Sequence, residues 1–112
     1  MTAPEGGWRQ GERAADGEAE RGAPPELQAL RSAIADLDRR LVELLAERVR
    51  LARRVGGAKR AAGLPTLDPA REAAVVRRAS ALAREHGLEP EAVRGIFWHL
   101  IGLSRRAQTE GP

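Results

Sequence analysis

From Leu27 to Ala62 apolar residues recur at alternating spacings of three and four: Leu27, Leu30, Ile34, Leu37, Leu41, Leu44, then Leu51, Val55, Ala58 and Ala62. This is the pattern of a long helix with one packed edge. Arg48 occupies the position where the next leucine belongs. A lone charge cannot be buried without a large penalty. Its guanidinium therefore either snorkels to water or meets an anion inside the bundle.

Punctuation divides the rest of the chain. Pro24-Pro25 precedes the first helix, and Pro25 suits its first turn. Gly56-Gly57 weakens the helix locally, by ~1 kcal/mol per glycine relative to alanine, without ending it. Gly63-Leu64-Pro65 ends it, with Gly63 suited to the C′ position. Asp68 is a natural N-cap, with Pro69 as the first residue of a second helix. That helix carries Ala73, Val75, Val76, Ala79, Leu82 and Ala83 and stops at His86-Gly87. Glu89-Pro90 opens a third, with a stripe of Val93, Ile96, Phe97, Leu100 and Ile101. No strand-like alternation and no internal repeat occurs. The expectation is an all-α domain over residues 25–110, with helices over about 26–62, 68–86 and 89–109.

A first helix of that size would span roughly 54 Å at 1.5 Å per residue. A compact domain of about 100 residues has a radius of gyration of only ~13 Å. Two shorter helices cannot cover such a seam along its length. An intertwined homodimer of three-helix protomers is therefore expected.

Composition narrows the chemistry. The 112 residues hold no cysteine and only two histidines, His86 and His99. That leaves no disulfide framework, suits a reducing cytoplasm, and argues against a Cys or His metal site. No apolar run reaches the roughly 20 residues of a membrane span, and the N-terminus has no apolar signal region. Residues 1–24, rich in Gly, Glu, Arg and Ala and with Trp8 isolated among them, read as a disordered tail. The net charge of +3 divides into −2 for that tail and +5 for the remainder. Lys59 is the only lysine, beside 18 arginines.

Polar residues that interrupt the stripes converge geometrically. Arg48 and Lys59, 11 positions apart, face within ~20° of each other on one helix, ~16 Å apart along its axis. Arg31 lies ~25 Å from Arg48 along the axis and is rotated by ~100°. It cannot share a small ligand with the Arg48 of its own straight helix, but an antiparallel copy could deliver it from another subunit. Asp68, Arg71 and Glu72 occupy the first turn of the second helix. Ser104 and Gln108 continue the apolar stripe of the third. Such a set suits a compact dianion bearing a hydroxyl, and it holds no nucleophile–base pair. Each residue also has a bland reading. Arg48 could be a snorkelling cation, Arg31 a solvated charge, Lys59 a dipole complement near the helix end and Asp68 a plain cap. Arg71-Glu72 could be a surface pair, and Ser104 and Gln108 ordinary surface polarity.

Together these residues resemble the all-helical, AroQ-type chorismate mutases. The resemblance runs through Leu27-Gln28-Ala29-Leu30-Arg31, Ile34, Leu37-Asp38, Leu41, Leu44-Leu45-Ala46-Glu47-Arg48, Val55-Gly56 and Ala58-Lys59. It continues through Pro65, Asp68, Arg71-Glu72, Phe97, Ser104 and Gln108, so it spans roughly Leu27 to Gln108. It implies an intertwined dimer with two sites, acting on chorismate without cofactor or metal. By that likeness Arg48 and the other subunit's Arg31 hold the substrate carboxylates, while Lys59 and Gln108 hydrogen-bond the ether oxygen. Glu72 and Asp68 meet the ring hydroxyl, and Arg71 and Ser104 support carboxylate binding. Gly57, Trp98, His99 and Arg105-Arg106 are this chain's departures.

Two rivals share the implied fold: a lyase removing pyruvate from isochorismate, and a mutase of aminodeoxychorismate. A different class is a non-catalytic helical adapter or a nucleic-acid binder. Arg39-Arg40, Arg53-Arg54 and Arg77-Arg78 would be the residues for a phosphate-binding face. Arg31, Arg48 and Lys59 interrupt or flank an apolar seam instead, which is a poor place to meet a nucleic-acid backbone.

Overall fold

The computed structural model describes residues 22–110. The reading of residues 1–24 as a disordered tail, Trp8 included, falls outside the described residues except for 22–24. The described residues form an all-α fold of three helices: α1 Pro25–Ala61, α2 Pro69–Glu85 and α3 Pro90–Thr109. None of them is long and apolar enough to cross a membrane.

The helix ends follow the punctuation. Gln28 N–H donates to the Pro24 carbonyl (3.1 Å), and its side chain donates to the Ala23 carbonyl (2.7 Å), which closes the start of α1. Gly63 and Gly87 adopt φ of 69° and 70°, a region in which a Cβ is strained. They end α1 and α2. Asp68 caps α2 by accepting from the Arg71 backbone N–H (3.2 Å), and Pro69 takes the first position. Glu89 caps α3 in the same style, accepting from the Glu91 N–H (2.8 Å).

The chain divides into two compact units, Met1–Val42 and Glu43–Pro112. In the first, the described part of α1 presents Leu27, Leu30, Ile34, Leu37 and Leu41 as exposed side chains, with Leu30 at 56%, Ile34 at 57% and Leu41 at 57%. In the second, α2 and α3 pack on each other as the principal helix pair. Its core is built of small side chains: Ala52 from α1, Val76, Ala79 and Ala83 from α2, Ile101 and Ala107 from α3, with Ser80 also buried. Leu82 and Ile96, which the periodicity assigns to the packed stripes, are exposed. Alanine and valine contacts bring helix axes close, and the longer side chains are left at the margins.

Gly56 makes the closest approach. A Cβ built there would sit 2.7 Å from the Gln108 Cα and 2.9 Å from its carbonyl carbon, and closer still to the carbonyl oxygen. These are backbone atoms of α3, which cannot rotate aside as a side chain tip would. The glycine that reads in the sequence as a helix defect is the contact that lets α1 and α3 touch. Gly56→Ala is therefore expected to destabilise the fold by at least the ~1–3 kcal/mol of an overpacked site. Gly95 has nothing within 4 Å of a Cβ position, so Gly95→Ala should be neutral or stabilising by up to ~1 kcal/mol. Denaturant titration of both variants checks the opposite signs.

Candidate active site

Within the Glu43–Pro112 unit, a cavity of about 400 Å³ opens between the last part of α1, the first turns of α2 and the end of α3. Apolar walls come from Leu51, Ala52, Val55, Val75 and Ile101. The polar lining is Arg48, Lys59, Thr66, Asp68, Arg71, Glu72, Ser104 and Gln108. Seven of the eight residues singled out in the sequence thus meet in one cavity. The eighth, Arg31, is exposed in the other compact unit and does not line it.

Arg48 is half-buried on α1, and its guanidinium donates to the Ser104 hydroxyl and, at 3.4 Å, to the Leu100 carbonyl. Both acceptors are neutral oxygens of α3. Burial first, and then the nearby Arg71 charge, lower the Arg48 pKa from its ordinary value. A guanidinium nevertheless stays protonated in a protein. Among the described residues no carboxylate pairs with it. A desolvated cation held on neutral dipoles is a strong attractor for an anion.

Lys59 sits one helical stretch further along α1. Its ammonium donates to the Thr66 carbonyl (2.8 Å) and to the Gln108 Oε1 (2.8 Å). An ammonium has three N–H groups, so one is left over by its partners among the described residues. Gln108 is anchored from both ends: its backbone carbonyl accepts from the Arg60 guanidinium (2.7 Å), and its Cα rests against Gly56. Because its Oε1 accepts from Lys59, the amide NH₂ is available as a neutral donor beside the ammonium.

The acidic side of the cavity lies at the start of α2. Asp68 is committed to capping, as its sequence position requires. Glu72 is held by a bidentate bond from α3: Arg105 Nε donates to Oε2 (2.8 Å) and Nη2 to Oε1 (2.5 Å). This hydrogen bond, opposed by burial and aided by the charges of Arg105 and Lys59, holds the Glu72 carboxyl below the usual carboxylate range. The same bond raises the Arg105 pKa. Arg71, the obvious sequence neighbour, is not Glu72's ion-pair partner; it is exposed, and its charge acts on Arg48.

The sequence assigned no role to two participants. Thr66 enters through a backbone carbonyl, which no side-chain pattern announces. Arg105 stands out in the sequence only as a departure from the family pattern, and its link to Glu72 spans 33 positions. The cavity carries three cationic side chains against two carboxylates, one of them already paired to Arg105. The balance suits an anionic ligand. Among the described residues no cluster of His, Cys, Asp or Glu could hold a metal ion.

Comparison with known proteins bears on the family. The family model described as Chorismate mutase type II matches residues 30–109. The chain is 32% identical over 85 residues to a protein named Chorismate mutase from Methanocaldococcus jannaschii, covering 76% of this chain and 86% of that one. It is 37% identical over 85 residues to the T-protein of Enterobacter agglomerans, covering 76% of this chain and 23% of the T-protein. With the T-protein of Haemophilus influenzae the identity is 36% over 71 residues, covering 63% of this chain and 19% of the relative. A family match across the cavity and all three helices, with a relative aligned over most of its own length, settles the assignment: this chain belongs to the chorismate mutase type II family.

Proposed function

We propose that the chain rearranges chorismate to prephenate in a site completed by a second copy of itself. The observation that carries this reading is Arg48. It is a half-buried cation on neutral acceptors, and it lines the same cavity as the Lys59–Gln108 pair.

A [3,3] rearrangement needs no nucleophile, base or redox cofactor. The enolpyruvyl arm must be folded over the ring, a restraint that lowers the entropic part of the barrier. As the C–O bond breaks, negative charge grows on the ether oxygen, and fixed donors there stabilise the transition state more than the ground state. In this reading the free N–H of Lys59 and the amide of Gln108 meet that oxygen. Arg48 takes one substrate carboxylate, backed by Ser104 and the field of Arg71. Glu72, with Asp68 nearby, accepts from the ring hydroxyl.

The second carboxylate is assigned to Arg31 of the partner subunit. The exposed row Leu27, Leu30, Ile34, Leu37 and Leu41 supports an intertwined dimer, since apolar side chains at this spacing form the seam of a helix pair. We place the reaction in the cytoplasm, which the cysteine-free composition suits.

Incubating the purified protein with chorismate, isochorismate and aminodeoxychorismate, and identifying the products, tests the reading directly. Prephenate from chorismate as the preferred conversion is expected. Pyruvate release from isochorismate as the main reaction would overturn it. Arg48→Ala should lower kcat/KM by roughly 10²–10³, the scale of losing a charged donor to the transition state, with helical content retained in circular dichroism. Because Gln108 donates at every ordinary pH, kcat should be nearly flat between pH 6 and 8. In Gln108→Glu the donor exists only when protonated, so activity should climb as the pH falls below neutrality.

A further inference from the structure

Arg105 lies outside the cavity, yet it grips a carboxylate that lines it. Its guanidinium reaches across from α3 to Glu72 on α2 with two parallel hydrogen bonds, at 2.8 and 2.5 Å. The Glu72 side chain is only 13% exposed, while that of Arg105 is 53% exposed. The acid thus points inward and the base covers it from the solvent side. Among the described residues Arg105 is Glu72's only hydrogen-bonded side-chain partner. Lys59 adds its field, but its ammonium bonds to Thr66 and Gln108 rather than to Glu72.

We propose that Arg105 is a positioning residue that fixes Glu72 as a charge-neutralised hydrogen-bond acceptor, so that the site selects a ring bearing a neutral hydroxyl over one bearing an ammonium. The inference rests on the chorismate reading above and deepens it. Two physical consequences follow from the fork. A bidentate guanidinium fixes the plane of the carboxylate and occupies one lone pair on each oxygen, leaving the others to accept from a ligand hydroxyl. It also cancels the carboxylate's charge. A bare Glu72 would attract a protonated amino group at the ring substituent more strongly than a hydroxyl; a Glu72–Arg105 pair offers a cation almost nothing.

The groups that face Glu72 fix the pH behaviour. Arg105 comes from α3 and Lys59 from α1, while Arg71 of α2 and its cap Asp68 line the same cavity. Protonating Glu72 removes the acceptor that Arg105 holds in place, so an acid limb reports on that carboxylate. With Arg105 present, Glu72 keeps its charge to lower pH than an ordinary glutamate. Removing Arg105 removes the largest cause of that shift, and the acid limb moves to higher pH.

The test measures kcat and KM of wild type, Arg105→Gln and Arg105→Lys with chorismate and with aminodeoxychorismate, from pH 4 to 8. Arg105→Gln should raise KM for chorismate with a smaller change in kcat. The ratio of kcat/KM for chorismate to that for the amino substrate should fall by about tenfold, the scale of one charge-assisted contact. The acid limb should move to higher pH, and Arg105→Lys, which restores the charge, should recover most of the ratio. An unchanged ratio and limb in Arg105→Gln, beside an active wild type, would overturn the role of Arg105 alone. A wild type that leaves chorismate unreacted would overturn the functional reading and this inference with it.

Discussion

Everything in the site depends on one cation with no anionic partner among the described residues. Arg48 replaces a leucine in the seam of α1, and α3 meets it with a hydroxyl and a carbonyl rather than a carboxylate. Neutral acceptors orient the guanidinium and offset part of its desolvation, but they leave its charge uncompensated. A structural ion pair would have supplied an acid at Ser104 and closed the question. In the proposed reading the balancing charge comes from a ligand in the cavity that Arg48 lines.

The donors opposite depend on backbone contact. Gly56 lets α3 approach so closely that the Gln108 backbone rests on α1, and Arg60 clamps its carbonyl. Lys59 then ties the Gln108 amide to the Thr66 carbonyl in the connection leading to α2. Ammonium and amide are thereby held before a substrate arrives. In the proposed rearrangement, where catalysis lies in aiming donors at a developing charge, such preorganisation matters more than any chemically reactive group.

The sequence showed the fold wherever local rules govern. The three helices, their glycine stops and the Asp68 cap followed from periodicity and turn chemistry, and the interrupted stripes led to seven of the residues that line the cavity. What it hid was pairing across distance. The bland reading of Glu72 paired it with Arg71 one position away, while its partner is 33 positions on, because a helix surface sets i and i+1 apart and tertiary packing decides the rest. Gly56 looked like a cost to α1 because helix propensity counts one helix at a time. Leu82 and Ile96 looked like core, yet small residues make the closest contacts and leave them exposed. In the proposed reading Arg31 reaches the cavity from a second copy of the chain, a relation that the fold of one chain does not contain.

That relation is also where the shared-site claim is most exposed to test. Arg31→Ala and Arg48→Ala proteins, each nearly inactive alone, would be unfolded together, refolded as a mixture and assayed with chorismate. If each site takes Arg48 from one subunit and Arg31 from the other, a mixed dimer holds one intact site and one doubly defective site. With about half of the dimers mixed in random association, roughly a quarter of wild-type activity should return. A mixture no more active than its two components would contradict a site shared between chains.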